Sequence, residues 1–70
     1  MATEKKAKII SDPEILGGTP VFEGTRIPAG NIVAEVKAGT DRFDIFRHYP
    51  RLPLDGIEAA IEWDAAGRQL

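Results

Sequence analysis

Apolar residues are spaced differently on the two sides of Pro28. Before it they come in short runs, Ile9-Ile10, Ile15-Leu16 and Val21-Phe22, cut by Gly17-Gly18, Pro20 and Gly24. Such runs predict short strands and turns. Pro20-Val21-Phe22 and Arg26-Ile27-Pro28 flank the polar Glu23-Gly24-Thr25, a pattern that predicts a hairpin with arms of about three residues. Lys8-Ile9-Ile10 fits a further short strand. Ser11-Asp12-Pro13-Glu14 carries turn chemistry, because short polar side chains bond nearby backbone and proline sets its own φ. Gly17-Gly18 is expected to hold positive φ, where glycine meets no steric penalty.

After Pro28 the spacing becomes helical. Ala29, Ile32, Val33 and Val36 stand at i, i+3, i+4 and i+7, which predicts a helix from about Pro28 to Ala38 with Gly39 ending it. Thr40 or Asp41 is expected to cap a second, short helix, with Asp41 and Asp44 near its positive end. Phe43, Ile45, Phe46 and Tyr49 form its apolar edge, and Pro50 stops it. A third helix is expected from Pro53, with Leu54, Ile57, Ala60 and Ile61 facing inward. Ala59, Trp63 and Ala66 make a second stripe beside it, and the helix fades near Gly67. The predicted fold is mainly α with a short N-terminal β-hairpin, a three-helix domain containing a helix-turn-helix. It spans residues 9–70, preceded by a polar tail over 1–8.

Length narrows the picture further. Seventy residues make one small domain, and such a chain buries only roughly 60% of its unfolded surface. Without cysteine there is no disulfide to reinforce it, and the lone His48 cannot build a closed metal site. No metal or cofactor is therefore expected, and a second chain is the remaining source of stability, as a homodimer or a hetero-oligomer. No apolar leader and no run near the roughly 18 apolar residues of a membrane span is present, so a cytoplasmic location away from membranes is expected. Catalysis is not expected either. His48 beside Tyr49 has no neighbouring nucleophile or second ligand, and Gly17-Gly18 lacks the lysine of a phosphate-binding loop.

Charge is distributed unevenly. Nine Lys and Arg against 11 Asp and Glu give a net charge of −2, the opposite sign from most nucleic-acid binders. Lys37, Arg42, Arg47 and Arg51 nevertheless outnumber Glu35, Asp41 and Asp44 in the middle of the chain. Arg26, Arg42, Arg47 and Arg51 are the candidate DNA contacts, because guanidinium groups position a helix-turn-helix on phosphates. Lys5, Lys6 and Lys8 are further candidates. Each set has a structural alternative: Arg26 pinning the hairpin to the helices, and the others forming a solvated face with local pairs such as Asp44 to Arg47. The third helix carries Asp55, Glu58, Glu62 and Asp64 against Arg68 alone, which makes it a poor reader of the major groove. Trp63 suits an interface anchor or a core position. Val21 and Phe22 suit a strand that pairs with its copy across a twofold axis.

Several residues together carry a family likeness: Asp12-Pro13, Gly18, Pro20-Val21, Gly24-Thr25-Arg26-Ile27-Pro28, Gly39, Tyr49-Pro50, Leu52, Ile57 and Ala59-Ala60. In this order, from Asp12 to Ala60, the chain resembles a bacterial and archaeal family of short domains long labelled as of unknown function. Members of that family occur as the antitoxin half of VapB-like toxin–antitoxin pairs. The resemblance implies a homeodomain-like or winged-helix-like fold and a partner resembling a PIN-type ribonuclease. Relatives commonly carry a basic residue where this chain has Thr19, often another near Glu23, and a Thr or Ser cap where Pro53 stands. With so few charges left on the hairpin, the acidic third helix is the better partner surface. Glu58 and Glu62 would face the basic rim of a nuclease toxin, with Val21, Phe22 and Trp63 as further interface candidates. The expected function is an antitoxin-type regulator that neutralises such a toxin and represses its own promoter as a dimer. A DNA-binding regulator without a toxin, or a pure oligomerisation or adaptor module, are the alternatives.

Overall fold

Strand β1 (Ile9–Ile10) pairs antiparallel with strand β2 (Val21–Phe22), placing Ile9 opposite Phe22 and Ile10 opposite Val21. This is seen in a computed structural model, which describes residues 7–70. Between the strands, the Asp12 carboxylate accepts the Glu14 amide at 2.9 Å, the turn chemistry expected there. A single 3-10 turn (Leu16–Gly18) follows, with φ of 66° at Gly17 and 95° at Gly18. Both glycines thus occupy the left-handed region in which a Cβ is disfavoured.

Three helices complete the domain: α1 (Ala29–Lys37), α2 (Arg42–His48) and α3 (Gly56–Ala65). Helix α1 starts directly after Pro28 and closes at Gly39, whose φ is 82° and whose amide donates to the Val36 carbonyl at 3.0 Å. It is the central helix. Both α3 and α2 pack on it, α3 the more extensively, and α3 also meets β1. Phe22, Ala29, Ile32, Val33, Ile45, Leu52, Ile57, Ala60 and Trp63 form one core. Helix α2, the turn over residues 49–55 and α3 make up the helix-turn-helix of a mainly α domain. Among the described residues no helix is long and apolar enough to cross a membrane.

Four sequence expectations need correction. The main partner of β2 is the upstream Ile9–Ile10 and not Arg26-Ile27-Pro28, which adds only one bridge, Val21 to Pro28. The bonds of that bridge run from the Phe22 amide to Ile27 O (3.1 Å) and from the Ala29 amide to Pro20 O (3.0 Å). They pass on either side of Pro28, so its missing N–H costs nothing. Strand β2 is therefore covered on both edges, and Val21 and Phe22 expose none of their surface. Neither residue can serve a partner or a twofold interface, because each is already consumed by the domain's own packing.

Second, no side-chain cap bonds the start of α2; the Thr40 hydroxyl donates instead to Glu35 Oε1 at 2.8 Å. Third, Phe43 stands 72% exposed, leaving Ile45 as the residue α2 buries. Fourth, α3 begins at Gly56 and not Pro53. The Gly56 amide donates to the Pro53 carbonyl at 2.8 Å, closing a turn that swings Leu54 out to 87% exposure. Ile61 is also exposed, at 45%. Of the expected inward residues, Ile57 and Ala60 hold, joined by Gly56 and Trp63.

Candidate functional site

The four arginines singled out as DNA contacts fall into two pairs. Arg42 and Arg47 lie on α2 and are engaged within the domain. The Arg42 guanidinium donates to Glu58 Oε2 at 2.8 Å and lies 5.6 Å from the centre of the Phe46 ring. Arg47 pairs with Asp44 at 3.5 Å, the local pairing that the i, i+3 spacing allows. Arg26 and Arg51 are exposed and enter no ion pair among the described residues.

The fold brings those two unengaged arginines together although 25 positions separate them in sequence (51 minus 26). Both line an open cleft of about 440 Å³, with Ile15, Gly24 and Thr25. Local chemistry builds each wall. Thr25 folds the loop: its hydroxyl donates to the Phe22 carbonyl at 2.8 Å and accepts from the Ile27 amide at 3.0 Å. Gly24 supplies the φ of 83° which that tight loop needs. Arg51 is held from the other side by its neighbour Leu52, which is buried and whose amide donates to Tyr49 O at 3.0 Å. Two permanently charged forks at one cleft make a site for an anion. The Thr25 hydroxyl is committed to backbone on both sides of the loop.

Helix α3 is acidic in sequence but largely compensated in space. Asp55 accepts the Ala7 amide at 2.9 Å, which ties the start of the described chain to the start of the helix. The hydrogen bond from Arg42 holds the Glu58 carboxyl below its usual range. Asp64 is lowered too, chiefly by its 2.8 Å hydrogen bond from Arg68 and then by Lys37 at 3.4 Å. Glu62 has no such partner among the described residues. Leu54 and Ile61 are exposed beside Glu58 and Glu62, so this face mixes apolar surface with carboxylates.

Trp63 belongs to the core, 9% exposed, and not to an open interface. Its indole N–H is buried without a hydrogen-bond partner among the described residues, and the Arg68 guanidinium sits 5.0 Å from its ring centre. The i, i+4 spacing of Asp64 and Arg68 was a readable sign of their pair. The Arg68–Trp63 and Lys37–Asp64 contacts had no comparable signal. Lys5 and Lys6 lie outside the described residues; Lys8 is exposed next to β1.

Comparison with known proteins places this geometry in a family without assigning it a role. Over 52 residues the chain is 40% identical to the uncharacterized protein y4eO of Sinorhizobium fredii, a match that covers 74% of this chain and 24% of that relative. The chain thus spans about a quarter of the length of the curated relative it matches. No solved structure matches it significantly. The model of the family described as "Protein of unknown function (DUF433)" matches residues 9–63, from β1 to Trp63, and the chain belongs to that family.

Proposed function

We propose that this protein is an antitoxin-type regulator that binds and neutralises a PIN-like ribonuclease toxin. The VapB-like resemblance of the Gly24–Pro28 string and its companions motivates the reading. The observation that carries it is the outer side of α3 and the turn before it. Glu58, Ile61 and Glu62 stand at i, i+3 and i+4 on α3, Leu54 lies in the turn before it, and all four are exposed. Leu54, at 87% exposure, contributes nothing to the domain's own core. Burying such apolar side chains against a partner removes them from water at about 25 cal/mol per Å². Glu62, which meets no cation among the described residues, favours a basic surface over an acidic one.

Co-expression with the product of the neighbouring reading frame, followed by capture on a tag, tests the reading. A stable complex is expected, and Leu54→Ser with Ile61→Ser should weaken it at least about tenfold, since each buried anchor is worth on the order of 1–2 kcal/mol. Absence of a complex with any adjacent gene product would sink the proposal.

A further inference from the structure

We infer that the cleft between Arg26 and Arg51 is a binding site for a phosphate group, carried on a small phosphorylated ligand or on a nucleic-acid strand. The inference does not depend on a toxin partner. It rests on how the fold spends its arginines. Arg42, Arg47 and Arg68 each meet a carboxylate, while Arg26 and Arg51 meet none among the described residues and share one cleft.

Phosphate suits this arrangement better than carboxylate does. A carboxylate sets only two oxygens and a single negative charge against two guanidinium forks. A phosphate group offers further oxygens and, as a monoester, more charge, so it can accept from both forks at once. The loop adds donors. Gly24 and Arg26 line the cleft, and their amides donate to no backbone or side-chain acceptor among the described residues. Ile15 supplies an apolar side against which an organic portion can rest. The flanking Glu23 and Glu14 are exposed and outside the lining, so they moderate the positive potential without occupying the site. Arg51 lies in the turn between α2 and α3, where a strand running past the helix-turn-helix would present its backbone.

Binding of inorganic pyrophosphate, adenosine monophosphate and a short DNA duplex to the whole chain tests the site, with glutarate as the dicarboxylate control. Wild-type protein should bind at least one phosphate probe and bind glutarate at least about tenfold more weakly. Arg26→Ala and Arg51→Ala should each weaken binding of the phosphate probe about tenfold. Arg26→Lys should recover part of that loss, because it keeps charge but not the fork. Both side chains are exposed and meet no partner among the described residues, so unchanged melting curves are expected for all variants. Pyrophosphate or the mononucleotide binding alone marks a small-ligand site. Duplex binding whose log–log salt slope falls by about 0.9 with each arginine removed marks contact with a nucleic-acid backbone. Either result supports the site. Binding of no phosphate probe, equal binding of glutarate, or full binding by the arginine-to-alanine variants overturns it.

Discussion

The β2–α1 region and the α2–α3 region use their apolar residues differently. From Val21 to Val33 the large apolar side chains turn inward: Val21, Phe22 and Ile32 expose nothing and Val33 only 3%. From Phe43 to Ile61, Ile45, Leu52 and Ile57 are buried while Phe43, Leu54 and Ile61 remain in water. The first region spends these side chains on the core that it shares with α2 and α3. The second contributes one side to the core and keeps apolar surface beside Glu58 and Glu62 on the other. That surface is where we propose that another chain binds.

The sharpest way to break this comparison is in the first region. Phe22→Ala should cost about 3–5 kcal/mol, because a fully buried aromatic side chain leaves a cavity that its neighbours cannot fill. Urea denaturation measures it, and a loss under about 1 kcal/mol would mean that β2 does not anchor the core. Next comes the joint between the two regions. A Cβ on Gly56 would lie 2.6 Å from Leu52 Cδ1 and 2.9 Å from its Cγ. Since Leu52 is itself buried, Gly56→Ala should cost about 1–3 kcal/mol by the same measurement. Wild-type stability in that variant would show that the Leu52 side chain yields to the added methyl group.

Acid should act mainly on the second region. Arg42 lowers Glu58, and Arg68 with Lys37 lowers Asp64. A carboxyl lowered by folding adds stability that is in place at neutral pH, and that contribution disappears as the pH falls from about 4 through the lowered folded-state values. Both groups are at the surface, so the effect is small. Tm should fall modestly below about pH 4, and Glu58→Gln with Asp64→Asn should flatten the fall. The smallest change is expected from Leu54→Ser, within about 0.5 kcal/mol of wild type. If it destabilised the isolated domain as much as Phe22→Ala, the contrast between a region turned inward and one that keeps apolar surface in water would collapse.

Local features were legible because neighbours in sequence decide them. The stripe Ala29, Ile32, Val33 foretold the buried side of α1, and Gly39 foretold its end. Positive φ at Gly17 and Gly18 and the Asp12 turn followed from residue type alone. Helix α3 was legible as a helix but not in its phase. Counting inward positions from Pro53 assumed a helical turn over Pro53–Asp55, where the chain makes a separate turn instead. The same reading overvalued the acidity of α3, since the cations that compensate it, Arg42 and Lys37, come from other helices.

The amino-acid order alone determined which segments are helical, where glycine must bend the chain and which residue types carry charge. These depend on backbone preference and on spacing within a few residues. Only the tertiary structure decided that Val21, Phe22 and Trp63 belong to the core, that β2 takes its main partner from upstream, and that Arg26 and Arg51 share a cleft while Arg42 meets a carboxylate. Those outcomes depend on distances between segments remote in sequence, and such distances are set by how the whole core closes.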